Sequence, residues 1–143
     1  MIAGDDPTPW NLLHDATIVG LERDVVDTVT VKIDVPYIRD RFADGGTLFA
    51  FALVDCRELT YTPLDEPTLR ELSEIASSEP TIGEATVEDG AIVIAGTAGT
   101  LRVRYRELGL ALDTGRPLAL DELERAVRAY WDEWNARTSR DKP

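Results

Sequence analysis

Thr28-Val29-Thr30-Val31-Lys32-Ile33-Asp34-Val35-Pro36 is the segment from which the fold is read. Val29, Val31, Ile33 and Val35 take alternate positions, with Thr28, Thr30, Lys32 and Asp34 between them. A period of two turns one set toward a core and the other toward water, which defines a half-solvated antiparallel strand. Pro36 has no N–H to continue a ladder and ends it. Upstream, Ala16 to Arg23 supplies a partner strand, reached through a tight connection around Asp24. Residues 1–9 are polar, with Pro7 and Pro9, and are expected to form a flexible lead-in.

Downstream, residues 37–46 read as an irregular or one-turn helical connection closed by Asp44-Gly45-Gly46. Leu48 to Val54 is apolar at every position, which predicts a central strand covered on both sides. Leu59 and Tyr61 mark a short strand after it. Asp65-Glu66-Pro67 is a helix-start signal, and Leu69, Leu72, Ile75 and Ala76 recur at helical spacing, predicting a short middle helix over 66–77.

A second series of strands follows. Thr81–Glu88 and Ala91–Ala95 flank Asp89-Gly90, a dipeptide suited to the positive φ angles of a two-residue hairpin. Leu101, Val103 and Tyr105 alternate with Arg102, Arg104 and Arg106, and Leu108, Leu110 and Leu112 extend the apolar face past a bend expected near Gly109. Asp121-x-x-Glu124 then resembles a capping box. Leu123, Ala126, Val127, Tyr130, Trp131 and Trp134 fall within an arc of roughly 140° on a helix. The opposite face offers Asp121 to Arg125, Glu124 to Arg128 and Glu133 to Arg137 as i,i+4 ion pairs. Residues 137–143 are expected to fray.

These elements predict an α+β fold in one domain over 10–136. It is a single twisted antiparallel sheet of about seven or eight strands, packed by the long C-terminal helix and the shorter middle helix. Two smaller sheets meeting edge to edge are the alternative. An internal echo bears on the choice. Gly46-Thr47-Leu48 matches Gly99-Thr100-Leu101, Glu58-Leu59 matches Glu107-Leu108, and Leu69-Arg70-Glu71-Leu72 parallels Leu120-Asp121-Glu122-Leu123. A repeat of four strands and a helix over 16–77 and 81–136 would produce it.

The chemistry-bearing residues are few. His14 is the single histidine and Cys56 the single cysteine, so no intrachain disulfide and no zinc set of Cys and His ligands can form. Next to each other in a strand, His14 and Asp15 would face opposite ways, which defeats a general-base pair. The acids flanking Cys56 oppose a thiolate. No calcium loop, phosphate loop or dinucleotide fingerprint is present, so no catalytic residue, metal or cofactor is expected.

Among 143 residues the net charge is −12, a field that repels nucleic-acid phosphates and speeds encounter with a basic protein. Asp24, Asp27, Glu84 and Glu88, placed on hairpin ends or solvent faces, are the acids expected to meet such a partner. Arg102, Arg104 and Arg106 form a cationic stripe expected to pair with Glu84 or Glu88. In an alternative reading they join His14 to hold a small anionic ligand, in a binding protein or an enzyme that uses the arginine-lined sheet face. Without an apolar run long enough for a membrane helix or a signal peptide, a cytoplasmic monomer or homodimer is the expectation.

Trp10-x-x-Leu13-His14-Asp15-Ala16, followed by a hairpin and closed by a helix ending in Tyr130-Trp131, resembles small bacterial proteins that open on a Leu-His-Asp-Ala strand. Some of these are thought to be immunity proteins of polymorphic toxin systems. The resemblance implies a non-catalytic inhibitor that binds a cognate basic toxin. It assigns no functional residue.

Overall fold

Every alternating segment of the sequence becomes a strand in the computed structural model, which describes residues 1–24 and 27–140. In chain order the elements are β1 (Ile2–Ala3), α1 (Thr8–Leu12), β2 (Thr17–Asp24), β3 (Thr28–Asp34), α2 (Pro36–Arg39), β4 (Phe49–Val54) and β5 (Glu58–Pro63). Then come α3 (Leu72–Ser77), β6 (Glu84–Glu88), β7 (Ala91–Ala95), β8 (Gly99–Arg104), β9 (Glu107–Leu112) and α4 (Leu120–Arg140). The protein is α+β, as its pattern requires.

The expected single sheet is corrected to two antiparallel sheets, one in the order β1-β9-β4-β3-β2 and one in the order β5-β8-β7-β6. The cause is a pair of bends. At Asp55-Cys56-Arg57, β4 turns into β5, and at Tyr105-Arg106, β8 turns into β9, each crossing to the other sheet. The bend expected near Gly109 therefore lies earlier, and Gly109 stays in the ladder opposite Ala52. Backbone bonds continue round the corner, from Arg57 N–H to Arg104 O (2.8 Å) and from Arg106 N–H to Val54 O (3.0 Å). Strands that switch sheets at corners are characteristic of orthogonal sheet packing. At the far seam Ile82 N–H donates to Ala16 O and Ile18 N–H to Pro80 O, both at 2.8 Å, so β2 meets the chain leading into β6.

The two sheets share one connectivity. Exchanging β2, β3, β4 and β5 for β6, β7, β8 and β9 turns the order β9-β4-β3-β2 into β5-β8-β7-β6. The sequence echoes fall at or within three residues of the starts of corresponding elements. Gly46-Thr47-Leu48 immediately precedes β4 and Gly99-Thr100-Leu101 opens β8, Glu58 and Glu107 open β5 and β9, and residues 69–72 lead into α3 while residues 120–123 are the first turn of α4.

Inward residues of both sheets form one core, including Ile18, Val29, Val31, Ile33, Phe49, Phe51, Ile92, Ile94 and Val103. Trp10 is fully buried within it, packs edge-on against Phe51, and donates its indole N–H to the Tyr105 hydroxyl (2.9 Å). Residues 1–9 are thus more than a lead-in. Ile2 and Ala3 pair with β9, and Pro9 is buried at the start of α1. The middle helix is shorter than expected, because Leu69 bridges Tyr61 and holds the chain extended until Leu72. β4 is covered on one side only: Phe49, Phe51 and Leu53 are buried, while Ala50, Ala52 and Val54 are partly exposed. The C-terminal helix continues to Arg140 rather than fraying at 137; residues 141–143 and the β2–β3 connection at 25–26 lie outside the described residues.

Candidate functional site

The last helix divides along its length. Leu123 and Val127 are buried, Tyr130 and Trp131 are partly buried, and Trp134 is 44% exposed. Its aromatic stripe thus starts as core and ends as surface. Around Trp131 the structure assembles an aromatic cluster. His14 stacks on it with centroids 5.5 Å apart, Tyr37 meets it edge-on at 6.3 Å, and Tyr130 and Trp134 flank it at 5.0 and 5.8 Å. Burial, followed by the nearby Asp15 carboxylate and Tyr130, raises the Tyr37 pKa. Arg41 pairs with Glu133 and lies 5.9 Å over the Tyr130 ring, tying the α2 loop to α4. This interaction draws Glu133 away from the expected Arg137.

His14 and Asp15 follow α1 in a turn in which Asp15 has φ of 72°. Their side chains approach only to 4.0 Å, and His14 Nδ1 lies 3.1 Å from Asn11 O. Asp15 does not orient the imidazole as a base would require. Cys56 sits at the β4–β5 corner, 6% exposed, and burial pushes its thiol pKa up. Its partners are Asp27 O through its N–H and Glu58 O through its thiol, while His14 stacks on α4, so no nucleophile–base pair is assembled. Among the described residues no group of His, Cys, Asp and Glu side chains could hold a metal ion, and no helix is long and apolar enough to cross a membrane.

The four expected partner-binding acids do not form one patch. Asp24 and Asp27 are exposed at the β2–β3 hairpin, and Asp27 accepts the Cys56 N–H at the corner. Glu88 lies beside Asp89, whose carbonyl accepts a bond from Arg104 (2.8 Å). Glu84 is at the other end of β6, about 13 Å away at strand rise. The arginine stripe also resolves differently from expectation. Arg102 and Arg104 pair with Glu58 on β5 (3.2 and 3.9 Å), and Arg106 with its neighbour Glu107 (3.4 Å), rather than with Glu84 or Glu88. β7 separates the stripe from β6, whereas β5 is its direct neighbour. His14 is not part of the stripe. The α4 cap differs as well: Glu122, not Glu124, reaches back to accept the Ala119 N–H (3.2 Å) and also pairs with Arg116 (2.8 Å).

Sequence reasoning missed Arg39, the one charged residue fully buried among the described residues. It donates to Leu48 O (2.8 Å), Phe42 O (3.2 Å), Asp44 Oδ1 (2.6 Å) and Asp113 Oδ1 (2.9 Å). The available signal was two similar turns, Asp44-Gly45-Gly46 and Asp113-Thr114-Gly115, each led by an aspartate. Bonds from Thr114 and the Gly46 N–H, then Arg39, lower the Asp44 pKa to about 2. Burial pushes Asp113 upward, but Arg39 and the Thr47 and Leu48 backbone contacts outweigh it and its pKa is lowered. All polar groups here are occupied by the protein itself, so the cluster clamps two loops together.

Open cavities also lie on the surface. One of about 410 Å³ lies between residues 81–83 and 95–97 beside Asp15. Another of about 610 Å³ runs between β1, β9 and residues 117–120 with apolar walls. Neither brings together groups that could run a reaction. Comparison with protein families, curated proteins and solved structures finds no match to this chain.

Proposed function

We propose that this chain is a non-catalytic protein-binding module that docks a basic partner, and that its specific form is an immunity-type inhibitor of a cognate toxin. The observation that carries the reading is the end of α4. Trp131 and Trp134, with Tyr130, Tyr37 and His14, leave an aromatic surface partly open on a chain of net charge −12. Large aromatics dominate binding hot spots, and net opposite charge accelerates encounter. Asp24 and Asp27 at one hairpin, and Glu84 and Glu88 on β6, supply the steering field. The anion-binding alternative gains nothing specific, since Arg102, Arg104 and Arg106 already face carboxylates.

The test uses the proteins encoded beside this gene as candidate partners. The cognate one should bind with an on-rate that falls steeply from low to physiological salt. Trp134→Ala should speed dissociation at least tenfold, as expected of a hot-spot tryptophan. It should change the melting temperature little, because the side chain lies at the rim of the core and loses only its edge contact with Trp131. A salt-indifferent on-rate together with unchanged dissociation of the variant would discard the proposal.

A further inference from the structure

Among the described residues, no helix packs on the outer face of the second sheet. Its inward residues, such as Ile92, Ile94, Leu101 and Val103, are in the core, while α1 docks at β6 and α3 against β2. Across the outer face run Glu84 and Glu88 on β6, Val93 and Ala95 on β7, and Arg102 and Arg104 on β8. The register sets Val93 opposite Arg102 on one side and Thr86 on the other, so β7 is a low ridge between an acidic strand and a basic one. Glu84 and Glu88 make no ion pair among the described residues, and one carboxylate, Glu58, is shared by both arginines.

The geometry points to this face as an isologous interface between two copies of the chain, with the twofold axis running along β7. An in-plane axis on β7 sets β8 of each copy over β6 of the other at the same level along the strand, placing Arg104 against Glu88 of the second copy, and Arg102 over Thr86 about 7 Å along the strand from both Glu84 and Glu88, on both flanks. On the axis, Val93 and Ala95 meet their own equivalents, and their small size permits the sheets to approach. The occupant is a second copy because opposite charges stand at equal distances on either side of one strand, as a twofold requires. A basic protein would meet Arg102 and Arg104 beside the acids. The face is also nearly neutral, with three carboxylates against two guanidinia on a chain of net −12, so self-repulsion is weakest there. Three strands offer only roughly 14 by 17 Å, which places the dimer among weak, reversible associations. The inference stands apart from the proposed function, although a basic partner taking Glu84 and Glu88 would compete with the second copy.

Sedimentation equilibrium of the full chain from roughly 10 µM to about 1 mM tests it. The mass should rise from 15.8 kDa toward twice that value, and less so at high salt. Arg102→Glu with Arg104→Glu, and separately Glu84→Arg with Glu88→Arg, should each stay monomeric, and an equimolar mixture of the two should associate again. Val93→Asp, which puts a carboxylate on the axis against its own equivalent, should abolish the dimer while near-ultraviolet circular dichroism stays native. Val93→Cys should cross-link to itself through a short bis-maleimide, whereas Thr60→Cys on β5 should not; Cys56 is too buried to interfere. A monomer at every concentration, or a dimer untouched by Val93→Asp and by both charge reversals, overturns the inference.

Discussion

Arg39 shows how much one side chain can organise. Its guanidinium joins the loop after α2 to the turn after β9 through two carboxylates and two carbonyls, with none of its own surface in water. Removing one member of a buried pair strands the other, at about 3–5 kcal/mol when both are buried. Asp44 and Asp113 keep about a fifth of their side chains in water, so Arg39→Leu should cost less, about 2–4 kcal/mol in urea unfolding. The same cluster sets an acid limit. The Asp44 pKa falls from 3.8 to about 2 on folding, so its contribution is complete above pH 4 to 5 and is lost as pH drops through about 2. Melting temperatures at pH 6, 4 and 2.5 should fall in that window, and Asp44→Asn should flatten the fall.

At the scale of elements, short helices are positioned by polar bonds to strands. The α1 helix is only Thr8–Leu12, too short to be stable alone. Trp10 anchors it in the core, and Asn11 fixes it to the edge of β6 by acting as a missing strand: its amide donates to Ala85 O (2.9 Å) and accepts the Ala85 N–H (2.8 Å). Asn11→Ala should cost about 1–3 kcal/mol, because both Ala85 groups lose their partner. Hydrogen exchange at the Ala85 amide should accelerate more than exchange in β3 or β4. Burial pushes the Tyr105 phenol up to about 12, against the lowering effect of the Trp10 bond. The Trp10–Tyr105 contact should therefore survive mild alkali, with tyrosinate absorbance appearing there last.

For the whole molecule, strand exchange is the governing feature. The first half of the chain lends β5 to the second sheet, and the second half lends β9 to the first. That is the arrangement a duplicated unit of four strands and a helix would adopt. Neither half can complete its sheet alone. Residues 1–79 and 80–143 expressed separately should lack cooperative unfolding, and mixed or co-expressed they should co-purify with native circular dichroism. Independent folding of either half would contradict this mutual dependence.

Local pattern indicated the strands from β2 to β9 in chain order, the hairpin at Asp89-Gly90 and the amphipathic last helix, because periods of two and 3.6 are written in neighbouring residues, whereas the two-residue β1 is too short to show a period. The echo between the two halves was also legible, since it too is a matter of local order. Only the tertiary structure decided that β4–β5 and β8–β9 bend between two sheets, that Glu58 rather than Glu84 or Glu88 meets the arginines, and that Arg39 is buried between distant aspartates. Each depends on which strand lies beside which, an outcome set by closing a common core across many residues of intervening chain. The aromatic cluster divides the same way. Its helical spacing was visible in the sequence, but where the helix leaves the core, and that His14 stacks there, belongs to the packing.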